Sequence, residues 1–182
     1  MKRIFLLLAV MMIAVSSLSA GVGVGAFGGL AIPLVQDDQD NGTAFGLKAR
    51  LKAIPLFVIE PYLSFVKYGD KAIDGLIGGE FKGSKVNSYG VDALFGAPMG
   101  GPGLKPYFIL GAGFFSTKPD ETNKVAVDET RLGFSGGFGF DIGFGPTFSI
   151  DARGKLNVIP QKDGGSKKSA TLTAGATLFL GM

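Results

Sequence analysis

The chain contains no cysteine, no histidine and no tryptophan. Without cysteine there is no disulfide framework and no thiolate metal site. Without histidine the commonest general base and the commonest metal ligand are both missing. An excess of one charge is missing too. The 18 Lys and Arg face 15 Asp and Glu, and setting aside Lys2 and Arg3 leaves 16 against 15, a net charge of +1. That is no electrostatic footprint for nucleic acid. Paired carboxylates and Ser/Lys pairs remain available, but no spacing assembles them, so neither a catalytic site nor a cofactor nor a metal is expected.

What is present begins with an export segment. Lys2 and Arg3 precede the apolar run Ile4 to Val15, 12 residues long, and Ser16 to Ala20 is small and polar apart from Leu18. This is the build of a secretory signal peptide. A spanning helix needs about 20 apolar residues, and this run stops short of that. The expected division is therefore a signal peptide over 1–20 and one domain over 21–182. A cut after Ala20 leaves Leu18 at the third position back, whereas a cut after Ser19 places Ser17 there.

The domain alternates. Leu132, Phe134, Gly136, Phe138, Phe140, Ile142 and Phe144 share one face, and Gly133, Ser135, Gly137, Gly139, Asp141 and Gly143 share the other. The same period of two runs through Phe148 to Val158 and through Thr171 to Met182. It recurs in Val22 to Ile32, Phe45 to Ala53 and Ser88 to Phe95. Such alternation marks strands whose faces meet unlike surroundings. Two further segments, Phe57 to Tyr68 and Pro106 to Phe115, are apolar on both faces and leave their phase open. Eight strands are predicted, near 21–34, 43–53, 57–68, 85–96, 105–116, 130–144, 147–159 and 169–182.

Connections alternate as well. Short ones fall at Ile54-Pro55, Gly96 to Leu104 and Gly143 to Pro146. Longer polar ones fall at Gln36 to Gly42, Gly69 to Ser84, Thr117 to Glu129 and Pro160 to Lys168. Short turns on the periplasmic side and long loops outside are the habit of outer-membrane barrels. Three features favour membrane over water around the outside. The polar faces are dense in Gly, Ser and Thr, which suit a crowded lumen. The apolar faces run free of charge over about 9–11 residues, the span of a tilted membrane strand. The signal peptide also leads to the right compartment. The expected fold is all-β, an eight-stranded antiparallel up-and-down transmembrane barrel in the cell outer membrane.

With the apolar faces outward, Lys48, Arg50, Lys52, Glu60, Asp92, Asp141, Asp151, Arg153 and Lys155 point inward. Charges in a closed lumen should pair, and a tight hairpin at Ile54-Pro55 would set Arg50 opposite Glu60. The expected role is an ionic plug, with a narrow gate as the alternative. Other motifs are weak. Gly23-x-Gly25-x-x-Gly28 has the letters of a dinucleotide fingerprint but lacks the strand and helix that it requires. In Asp37-Asp38-Gln39-Asp40-Asn41-Gly42, Gln39 and Lys48 break the spacing of a calcium loop. Asn41-Gly42-Thr43 is a formal glycosylation sequon. Lys162, Lys167 and Lys168 are read as a wet loop, with contact to lipopolysaccharide as the other possibility.

Lys105-Pro106-Tyr107-x-x-x-Gly111-x-Gly113, together with the Gly-rich alternating strands, resembles the outer-membrane β-barrel domain family, including its small eight-stranded members of the OmpA-barrel and OmpX kind. That resemblance implies roles in envelope integrity, adhesion or slow solute leakage. It also implies outer-membrane lipid or lipopolysaccharide and the barrel-assembly machinery as partners, with the surface partner unspecified. Enzymes among membrane barrels, the lipid A acyl-modifying enzymes and the proteases, rely on His, so a non-enzymatic protein is expected. The chain departs from the usual aromatic end, closing Phe179-Leu180-Gly181-Met182, with Phe179 on the lumen face. The expected function is structural or surface-interacting. The alternatives are a narrow porin-like channel and a soluble periplasmic barrel holding an apolar ligand.

Overall fold

The computed structural model describes residues 21–34, 40–54, 56–69, 71–72, 80–81, 84–96, 98–99, 101–118, 129–161 and 164–180. The segment read as a signal peptide lies outside them, as do Asp37 to Gln39 and Lys162. The strands are β1 (Val22–Pro33), β2 (Asp40–Ile54), β3 (Phe57–Gly69), β4 (Lys71–Ala72), β5 (Glu80–Phe81), β6 (Lys85–Phe95), β7 (Gly103–Lys118), β8 (Glu129–Gly143), β9 (Phe148–Pro160) and β10 (Ser166–Leu180). Eight of them close a barrel in the order β1-β10-β9-β8-β7-β6-β3-β2, while β4 and β5 pair only with each other. Every neighbouring pair is antiparallel, and β1 meets β10 over the whole length from Val22↔Leu180 to Pro33↔Ser169. Closure leaves no unpaired edge among the eight, which is the condition for a sheet in lipid.

Side-chain exposure decides which way the barrel faces. Phe108 is 71% exposed, Phe138 58% and Leu178 55%, whereas Arg50, Glu60 and Asp141 are 0% exposed. A soluble barrel would show the reverse, with apolar groups inside. The soluble-barrel alternative is thereby overturned. The two segments of open phase are fixed by the same criterion. In β3, Val58, Glu60, Tyr62 and Tyr68 turn inward and Leu63 and Phe65 outward, and in β7 Tyr107, Ile109 and Phe115 turn inward and Phe108, Leu110 and Phe114 outward. Phe179 is buried in the lumen, in the phase expected for the last strand.

The glycines of the inner face have a use beyond smallness. Tyrosine side chains from other strands come close over them. A Cβ on Gly139 would stand 2.6 Å from the Tyr107 ring, and one on Gly113 would stand 2.8 Å from the Tyr62 hydroxyl. An added methyl there collides with a buried aromatic, so these positions stay bare.

Two connections differ from expectation. The segment read as a polar loop over Pro160 to Lys168 is a tighter turn. Gly164 and Gly165 take φ of 87° and 82°, the left-handed region open to glycine. Gln161 N donates to Gly165 O at 3.2 Å, so β10 starts at Ser166. Lys167 and Lys168 therefore lie on a strand, paired with Ile159 and Val158, and do not form a wet loop. The connection after Gly96, read as a short turn, folds back into the barrel. It buries Pro98 and Met99 and ties Gly101 N to Gly145 O at 2.8 Å.

Candidate functional site: the ion-paired lumen

The lumen is built in layers. At the end where β1 begins and β10 finishes, Val58, Leu94, Met99, Tyr107, Ile109 and Phe179 form one apolar cluster. Above it lie the charges. The tight turn after Ile54 fixes Leu51↔Ile59, which brings Arg50 to Glu60 on adjacent strands. Arg50 Nε donates to Glu60 Oε2 at 2.8 Å, its Nη1 to Asp141 Oδ1 at 2.6 Å and its Nη2 to Asp151 Oδ1 at 2.9 Å. The same Nη1 also donates to the Pro98 carbonyl at 2.8 Å, which anchors the inward-folded connection. Arg153 forks onto Glu60, through Nη1 and through Nη2 at 3.2 Å, and onto Asp151 at 3.1 Å. Lys48 pairs with Asp151. Lys155 pairs with Asp92 at 2.9 Å, whose other oxygen accepts from Ser135 at 3.3 Å.

The pairs are chords across the barrel. In the strand order, β2 and β8 stand diametrically opposite, as do β9 and β3. Arg50–Asp141 spans the first diameter and Arg153–Glu60 the second. Eight of the nine sequence-predicted charges take part. Four are positive (Lys48, Arg50, Arg153, Lys155) and four negative (Glu60, Asp92, Asp141, Asp151), so the cluster balances. Lys52 is the one that does not join. It is only partly buried, near the end of β2 opposite Val58 and just before an irregularity in the register with β3.

Sequence reasoning missed the aromatic members. Tyr107 meets two guanidinium groups, with Arg50 and Arg153 each 5.8 Å from its ring centre, and Lys155 stands 4.0 Å over the Tyr62 ring. Such cation–π contacts strengthen away from water. A signal was available. Glu60-Pro61-Tyr62 and Lys105-Pro106-Tyr107 repeat one pattern, and a period of two from the charged residue carries each Tyr to the lumen.

Above the charges the lumen opens. A vestibule is floored by Asp92, Arg153 and Lys155 and walled by Ser64, Asn157, Thr171 and Thr173. Near its rim Ala31, Ala44 and Tyr68 pack with Val66 and Val86. Arg131 and Glu129 pair at the same end. Chemically, the lumen carboxylates are each engaged by a cation or a hydroxyl, and no nucleophile stands beside a free base among these residues. The arrangement braces opposite walls and blocks the bore.

A closed antiparallel barrel with an apolar exterior and an ion-paired interior is an integral membrane barrel. The sequence matches the Outer membrane protein beta-barrel domain family over residues 5–178, and the chain belongs to that family. It is an outer-membrane protein; the barrel end that carries the connections 55–56, 96–102 and 144–147 is called the inner end, and the other the outer end. The fold is similar to Neisserial surface protein A, with a TM-score of 0.65 and 18% identity over 88% of this chain and 97% of that one. It is also similar to Ail, the attachment invasion locus protein of Yersinia pestis in complex with the heparin analogue sucrose octasulfate, with a TM-score of 0.57 and 18% identity over 90% and 100%. A third likeness is to the N-terminal β-barrel domain of Pseudomonas aeruginosa OprF, with a TM-score of 0.55 and 18% identity over 88% and 97%. No curated protein matches the sequence.

Proposed function

We propose that this barrel is a non-conducting, non-enzymatic anchor whose work is done at the extracellular face, in envelope structure or surface contact. The observation that carries the proposal is the set of salt bridges spanning both barrel diameters, with Pro98 and Met99 folded in beneath them. An ion crossing the lumen would have to separate several buried pairs at once, each costly to break. The connections spanning 70–84 and 119–128 at the outer end are longer than any at the inner end, where the longest spans 96–102. Surface for contact is thus concentrated outside. Export through residues 1–20 and insertion by the barrel-assembly machinery belong to the same proposal.

The test is electrical. Purified protein in a planar bilayer should give a flat current trace at moderate voltage. Regular conductance steps that track protein concentration would favour the narrow channel instead.

A further inference from the structure

The strand register gathers lysines that lie far apart in sequence. Lys67 on β3 stands directly opposite Lys85 on β6. Lys85 in turn stands opposite Lys118 on β7. Cross-strand partners lie about 5 Å apart, and like charges so placed repel. Lys67 and Lys85 are exposed on the lipid-facing side, at the outer end of the barrel. Neither is in an ion pair among the described residues.

The surface below this row is graded. The next outward row across the same strands holds Phe65, Asn87, Ser116 and Thr130. Beneath it Tyr89 and Phe114 pack ring against ring, with centroids 5.5 Å apart, flanked by exposed Leu63 and Leu132. On β6 and β7 the order from water towards the bilayer centre is cation (Lys85, Lys118), hydrogen-bonding group (Asn87, Ser116), aromatic ring (Tyr89, Phe114) and aliphatic chain (Val91, Ala112). A phosphorylated glycolipid has the matching order of phosphate, sugar with amide or ester linkages, and acyl chain. The opposite face lacks this gradient. There the outward positions near the outer end include Ile32, Leu156, Val158 and Ala170, with Lys168 as the single cation among the described residues of β1, β9 and β10 on that side.

We propose that the outer rim of the β3–β6–β7 face binds the phosphate-bearing head group of an outer-leaflet glycolipid. The bound phosphates neutralise the lysine row, and the acyl chains lie along the Tyr89–Phe114 shelf. The site depends on the protein's outer-membrane placement and not on whether the lumen conducts.

Native mass spectrometry of the intact, detergent-solubilised protein tests this with three probes: bisphosphorylated lipid A, the same lipid stripped of phosphate, and inorganic phosphate. Bisphosphorylated lipid A is expected to bind at least about tenfold more tightly than the stripped lipid. The triple substitution Lys67→Gln, Lys85→Gln, Lys118→Gln should remove that preference. The corresponding triple Arg variant should keep it, and so should Lys168→Gln on the opposite face. Folding of each variant is checked by heat-modifiable gel mobility, and the Arg variant keeps the test decisive if the Gln variant fails to fold. Equal binding of the two lipids would overturn the proposal, as would an unchanged preference in the Gln variant or its loss in the Arg variant. Displacement of the lipid by an equal concentration of inorganic phosphate would overturn the lipid assignment.

Discussion

Replacing Arg50 with methionine is expected to destabilise the barrel by about 3–5 kcal/mol, the usual cost of removing one partner from a buried ion pair. The expectation is at the upper end because Arg50 serves three carboxylates, Glu60, Asp141 and Asp151, and the Pro98 carbonyl as well. Arg50→Met would leave Glu60 with Arg153 alone, Asp151 with Arg153 and Lys48, and Asp141, among the described residues, with only the Ser149 hydroxyl at 2.9 Å. Urea unfolding of the protein in micelles, followed by the shift in gel mobility between folded and heated forms, reads the loss. Lys155→Met is the graded comparison. Lys155 borders the open vestibule, and Asp92 keeps its bond from Ser135, so the cost should be smaller. An Arg50→Met barrel as stable as the parent would mean that the salt bridges do not brace the walls.

The second large effect concerns the outer surface. Ala174 lies midway along β10, between Gly28 on β1 and Ala152 on β9, and is exposed on the lipid side. Ala174→Arg would place a guanidinium near the middle of the hydrocarbon, at a cost of about 2–4 kcal/mol. One residue away, Thr173 faces the vestibule beside Arg153. Thr173→Arg adds a cation to a polar, open space, where its main penalty is repulsion from its cross-strand neighbour, roughly 0.2–1 kcal/mol. The two variants, compared in the same unfolding assay in lipid bilayers, should differ in that order. Equal tolerance would contradict the facing.

Sequence periodicity carried much of this architecture because two unlike solvents act on alternate residues. Where one face was Gly, Ser or charged, as in β8 and β9, the phase could be read directly and the structure agrees with it. Arg50 and Glu60 were also within reach, since a tight turn fixes which residues meet across a hairpin. In β3 and β7 the contrast vanishes, because Val58, Ile109 and Phe115 fill the lumen with the same residue types that meet lipid outside. Hydrophobic alternation therefore did not mark Tyr62 and Tyr107, and only the charged residue two places before each carried the phase. The inward fold of Pro98 and Met99 has no local signal. It depends on a carbonyl meeting Arg50 from a strand 48 residues earlier. The lysine row has none either, because register between β3 and β6 is set by the whole barrel. The extra pairing of Lys167 and Lys168 was lost to a polar composition that suited a loop equally well. The chain's function is less legible than its fold, for the lumen groups that carry charge spend it on one another.

The central claim is that oil surrounds this cylinder and polar space lies within its outer half. Nitroxide labels at Leu178 and at Thr171, in protein reconstituted in bilayers, test it through collisional access to oxygen and to a water-soluble nickel chelate. Leu178 should collide with oxygen and be shielded from the chelate, and Thr171 should show the opposite preference. A label at Leu178 that meets the chelate, with one at Thr171 that meets oxygen in the acyl region, would contradict the account.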